Sequence, residues 1–109
     1  MALTYKVLAQ LNPSATTATT LYTNPALTQT IVSSIVVTNQ AGSGGSYRIA
    51  IRPNGETLAA KHYIAYDRAI AANATETHTI GITVDADDIV TVYASSASIS
   101  FNAFGVQIV

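Results

Sequence analysis

The chain carries two histidines, six carboxylates and five basic side chains. Acid–base, nucleophilic or metal chemistry must come from these and from its many hydroxyls. His62 and His78 each lie in strand-like runs among aliphatic, aromatic or threonine neighbours. A histidine could activate a Ser or Thr hydroxyl, but no Gly-x-Ser-x-Gly elbow presents one. A triad assembled only in three dimensions stays open, because triads follow geometry rather than chain order. Glu56, Asp67, Glu76, Asp85, Asp87 and Asp88 could supply a carboxylate pair for glycoside hydrolysis. Three of these six share one turn, where turn chemistry already accounts for them.

Asp85-x-Asp87-Asp88 also offers oxygens to a hard cation such as calcium. The EF-hand spacing fails, with no Gly at the sixth loop position and no Glu at the twelfth, so the segment reads as a solvated turn. Asn73-Ala74-Thr75 matches a glycosylation sequon. Such a match arises easily by chance in a Thr-rich chain, and it reads as a turn entering a strand. Arg48, Arg52, Lys61 and Arg68 fall on adjacent strands, as a small basic patch or as cross-strand partners of Glu56 and Asp67. The residues assign no catalytic centre, no metal site and no cofactor.

The composition points elsewhere. Only 10% of residues are charged and 49% are hydrophobic, against about 25% charged in an ordinary soluble domain. Thr, Ser, Ala and Asn must cover the surface, a coat that suits β-strands and burial against other protein. A net charge of −1 offers nothing to a phosphate backbone, which argues against nucleic acid as partner. No apolar run approaches the roughly 18 residues of a membrane-spanning helix. Cysteine is absent, so neither disulfides nor cysteine-ligated zinc can hold the fold. The opening Met1 to Lys6 lacks the basic-then-apolar order of a secretory signal. The expectation is a soluble protein made inside the cell.

The elements that must position these residues are strands. Leu3, Tyr5, Val7, Ala9 and Leu11 alternate with mostly polar residues and predict a first strand with one apolar face. Thr28–Asn39 is rich in β-branched residues and apolar on both faces, which predicts a central strand. Tyr47, Ile49 and Ile51 point inward and Arg48 and Arg52 outward, ahead of a Pro53-Asn54-Gly55 turn. Lys61–Asp67 predicts a strand with Tyr63 and Ala65 on one side, and Thr75–Val84 a single strand. Ile89–Ser95 reads as a second central strand. Ile99, Phe101 and Ala103 are out of phase with Phe104, Val106 and Ile108, which predicts a β-bulge at Ala103–Gly105. About eight strands at intervals near 8–12 residues predict one all-β domain over residues 1–109, an antiparallel β-sandwich resembling a jelly roll.

The segments LTYKVLAQLNPSATTATTLYTNPA, KHYIAYD and DDIVTVYASSASISFNAFGVQIV together resemble small structural proteins of tailed bacteriophages. The likeness spans nearly the whole chain and is a pattern of strands and turns without a catalytic signature. It implies a virion component on the outside of a head or tail, made in the host cytoplasm. The expected function is capsid decoration: a cement protein that binds neighbouring shell subunits. The alternatives are a tail or fibre component, or a carbohydrate-binding adhesion module. Other virion proteins are the expected partners, together with copies of itself, as in a trimer on a local threefold axis. The strands Thr28–Asn39 and Ile89–Ser95 contain no Lys or Arg to deter edge pairing. Ile31, Val32, Ile35, Val36, Val37, Ile89, Val90, Val92 and Tyr93 are therefore the expected interface.

Overall fold

Turn residues divide the alternating runs into nine strands in the computed structural model, which describes all 109 residues. They are β1 (Leu3–Leu11), β2 (Thr19–Thr23), β3 (Gln29–Asn39), β4 (Gly45–Arg52), β5 (Tyr63–Ile70), β6 (Thr75–His78), β7 (Ile82–Val84), β8 (Ile89–Ala94) and β9 (Ile99–Ile108). Sheet I has the order β1-β9-β3-β6, with β7 also on β3, and sheet II the order β2-β8-β4-β5. Every pairing is antiparallel. The two sheets face each other as a jelly-roll sandwich. Both strands expected to be central are so: β3 lies between β9 and the β6/β7 pair, and β8 between β2 and β4.

The core follows from the period-two alternation of strands. Tyr47 and Ile49 from β4 and Val90, Val92 and Ala94 from β8 meet Ile35, Val37, Ile99, Phe101 and Ala103 from sheet I, all buried. Arg52 turns outward as expected and holds the Pro53–Gly55 turn, donating from Nε to the Glu56 carbonyl at 2.7 Å and from Nη2 to the Gly55 carbonyl at 3.2 Å. Asparagines pin the corners. Asn39, fully buried, donates to the Ser43 carbonyl at 2.9 Å and accepts from the Ala41 N–H at 3.0 Å. Asn24, also fully buried, donates to the Thr28 carbonyl at 2.6 Å and accepts from the hydroxyls of Tyr22 and Thr30. Each buried amide thus meets backbone groups that the turns leave without ladder partners.

Three expectations need correction. Thr75–Val84 is two strands, which pair with β3 at Ile35–Thr38 and at Thr30–Val32. Between them Gly81 takes a left-handed φ of 63°, which interrupts the ladder and leaves Ile80 exposed. On β5, extra residues opposite β4 break the register and bring Tyr63 against Tyr66, so Tyr63 and Ala65 do not share a face.

The third correction concerns β9, which carries no bulge. The extra residues are on its neighbours: Leu8 of β1, between Val7 and Ala9, and Ser33 of β3, between Val32 and Ser34. β9 itself alternates throughout. Ile99, Phe101 and Ala103 point into the core, followed on the same face by Gly105 and by Gln107, whose amide donates to the buried Tyr22 hydroxyl at 2.7 Å. Phe104, Val106 and Ile108 consequently point out. Leu8 flips β1 in the same way: Leu8, Ala9 and Leu11 pack on the core, while Leu3, Tyr5 and Val7 are exposed.

Candidate interaction surface

Neither histidine faces a Ser or Thr hydroxyl. His62 is buried in the loop that covers sheet II. Its Nδ1 accepts the Ala59 N–H at 2.9 Å, so Nε2 carries the proton and donates to Glu56 at 3.2 Å. The hydrogen bond from His62 and the nearby Lys61 ammonium hold the Glu56 carboxyl below its ordinary range. The ring acts as a clip within the loop.

His78 belongs to a network that bridges the sheets where β5 and β6 approach. Buried Tyr47 has its hydroxyl 2.6 Å from Glu76 Oε1 and 2.6 Å from His78 Nε2, and Arg68 donates to Glu76 at 2.9 Å. One assignment satisfies every group: neutral His78 donates from Nε2 to Tyr47, and Tyr47 donates to Glu76. Burial pushes the Tyr47 hydroxyl well above its usual range, reinforced by its bond to Glu76. Burial lowers His78, and the bond from Tyr47 with the Arg68 guanidinium lowers Glu76. A tyrosine kept protonated and a histidine kept neutral suit a structural tie across the sandwich.

Two of the three aspartates of the Asp85–Asp88 turn accept bonds from backbone. Asp88 accepts from the Asn54 and Asp85 N–H groups, each at 2.8 Å, and Asp85 accepts from Ala86 at 2.8 Å. Asn73 stands at the β5–β6 turn with a left-handed φ of 56°.

The expected interface residues separate into two groups. Val32, Ile35, Val37, Val90 and Val92 are buried in the chain's own core and form no surface. Ile31, Val36, Ile89 and Tyr93 alternate with them on the outer faces and are half-buried. The missing Lys and Arg are explained by central positions in two sheets, where neighbours already occupy both edges.

The larger apolar surface lies on the outer face of sheet I, mostly at residues that alternation groups as the apolar face of β1 and the second phase of β9. Cross-strand register lines up three rows: Leu3 beside Ile108; Tyr5 beside Val106, with Val106 beside Ile31; and Val7 beside Phe104. Leu3, Tyr5 and Val7 are exposed, with Tyr5 at 78%. None of these side chains carries a formal charge. A shallow groove crosses the patch between Tyr5, Ser33, Phe104 and Val106, with Lys6 at its edge. The signal for this face was the phase change in β9. A strand with apolar residues on both faces, near the end of its sheet, must turn one set out of the core.

On the outer face of sheet II, the Arg48 guanidinium lies 4.3 Å from the Tyr66 ring centroid and 4.2 Å from that of Tyr93, and pairs with Asp67 at 2.6 Å. Tyr63 and Tyr66 meet edge to face, 4.8 Å between centroids, beside an open cleft of about 580 Å³ completed by Leu58, Ala59 and Ala60.

No family model matches this sequence, and no curated protein matches it. Among solved structures, the chain is similar to one in the structure of infectious bursal disease virus Gx strain, with a TM-score of 0.55 and 15% identity. The match covers 97% of this chain and 32% of that one, so this chain spans about a third of the length of its viral neighbour. At that identity the likeness is one of fold.

Proposed function

We propose that this protein is a structural component of a virus particle and acts by packing against neighbouring subunits. The observation that carries the reading is the charge-free apolar face of Leu3, Tyr5, Val7, Ile31, Phe104, Val106 and Ile108 on sheet I. Contiguous exposed apolar surface on a soluble β-sandwich marks a site of protein contact. Three strands about 4.8 Å apart, over five residues at about 3.3 Å each, give a modest contact area. A stable free-standing complex buries about 800 Å² per partner. A contact this small gains strength by repetition over a symmetric shell, where many copies engage together.

The jelly-roll similarity to a chain of a virus structure supports the same reading. So does the resemblance of the sequence to tailed-phage structural proteins, and with it the specific role of capsid decoration. The test is mass spectrometry and imaging of gradient-purified particles from infected cells. Copy number near that of the shell protein, and loss of the protein from particles on Val106→Asp with its fold intact, are the expected results. A few copies per particle would favour a tail or fibre position. Absence from the particle would overturn the proposal.

A second reading, carbohydrate binding, is favoured by the Tyr63–Tyr66 cleft, where aromatic rings stand beside the polar Arg48–Asp67 pair. Titration with monosaccharides, followed by tyrosine chemical shifts, tests it. Unchanged shifts would exclude it.

A further inference from the structure

Strand β1 is the edge of sheet I, and its backbone shows which of its groups are unspent. Ala2 and Val109 exchange both of their N–H and C=O bonds. In an antiparallel ladder such pairs alternate with pairs that exchange none. Thr4 and Lys6 therefore continue the bonds to β9, while the backbone groups of Leu3, Tyr5 and Val7 point away from it, to the open edge. Residues 3–7 are all exposed.

Natural edges are blunted by proline, bulges or charged side chains, lysine above all. Here the run from Leu3 to Val7 contains neither proline nor bulge and a single charge, Lys6; the bulge comes only at Leu8.

We infer that a second copy of this chain occupies that edge, its β1 antiparallel to the first about a twofold axis through Tyr5. The inference rests on reading sheet I as a contact surface, and it names the partner. Two features favour a copy over an unrelated strand. Centring on Tyr5 sets Leu3 opposite Val7 of the copy and Thr4 opposite Lys6, so the one charge meets a hydroxyl and not its own image. The same register makes Leu3–Val7 and Tyr5–Tyr5 hydrogen-bonded pairs, using the groups that β9 leaves free. The apolar rows of both copies then join across the axis into one continuous face. The symmetry is twofold, in place of the threefold expected from the sequence.

The absence of cysteine makes the register directly testable. Thr4 and Lys6 of opposite copies would form a non-hydrogen-bonded pair with Cα atoms about 4.5 Å apart, within the 4.4–6.8 Å span of a disulfide. Full-length Thr4→Cys and Lys6→Cys proteins are oxidised separately and as a mixture. A linked dimer in the mixture, and little from either alone, is expected. Tyr5→Pro removes an outward N–H that β9 does not use, and should reduce the native protein to a monomer in sedimentation with its circular dichroism unchanged. Equal linkage in all three samples, or a wild-type monomer at high micromolar concentration with no linkage, would overturn the inference. If linkage fails while Val106→Asp still keeps the protein off particles, the pairing falls and the contact surface stands.

Discussion

The carbonyl oxygen of Ile31 occupies the space that a β-carbon on Gly105 would need, and Leu8 Cδ1 closes the same space from β1 at 3.0 Å. Gly105 therefore lets β3 and β9 close at the point where Ser33 is inserted opposite. Gly105→Ala is expected to destabilise the fold by about 1–3 kcal/mol, the cost of overpacking a close-packed site. Urea denaturation measures it, and an unchanged midpoint would show that the ladder has room to open.

Tyr47→Phe removes the hydroxyl shared by Glu76 and His78 while keeping the ring against Phe101, 6.0 Å between centroids. The expected loss is about 1–2 kcal/mol, because the two half-buried partners recover part of their bonding from water. A double-mutant cycle with Glu76→Gln should show coupling between the two positions. Additive losses would mean that the network carries no shared energy.

Stability should fall on acidification in two stages. The folded protein holds His78 below its ordinary value of 6.5 and Glu76 below its ordinary value of 4.5. In each case the unfolded chain takes up its proton first, so stability is lost as pH falls below the ordinary value towards the folded one. Thermal melts should be level between about pH 7 and 9, decline below about pH 6.5, and decline again in the carboxylate range. His78→Gln should remove the upper stage and leave the lower. A melting temperature that rises as the pH drops from 7 to 5 would contradict this sign.

Asn24→Ala strips a buried turn of the amide that meets the Thr28 carbonyl and the Tyr22 and Thr30 hydroxyls. A loss of about 1–3 kcal/mol is expected for stranding buried partners. Hydrogen exchange at residues 24–28 should rise with it.

Attachment through the outer face of sheet I should depend little on ionic strength, since Lys6 at the groove's edge is the one charge beside the patch. Retention on particles should hold from about 0.05 to 1 M salt, a range across which the Debye length shrinks several-fold. Ready release by salt would move the contact to Arg48, Arg52 or Arg68.

The sequence by itself determined the strands, most of their turns and the sandwich, because a period of two and turn-forming residues are local properties. The inward set of Tyr47 and Ile49, the outward arginines and the central places of β3 and β8 were legible for that reason. Alternation says which residues share a face, but not which face meets the core. That was decided by Leu8 and Ser33, single inserted residues that exist as bulges only relative to a partner strand distant in sequence. They sent Leu3, Tyr5 and Val7 outward and left β9 regular, with Phe104, Val106 and Ile108 on the surface. Gly81 split one expected strand for a related reason: its left-handed turn matters only because both halves must reach β3. The grouping of Tyr47, Glu76, His78 and Arg68 depends on two sheets closing over each other, which no spacing along the chain records. The exposed apolar face of sheet I belonged to the tertiary structure because exposure is a property of what the rest of the chain leaves uncovered.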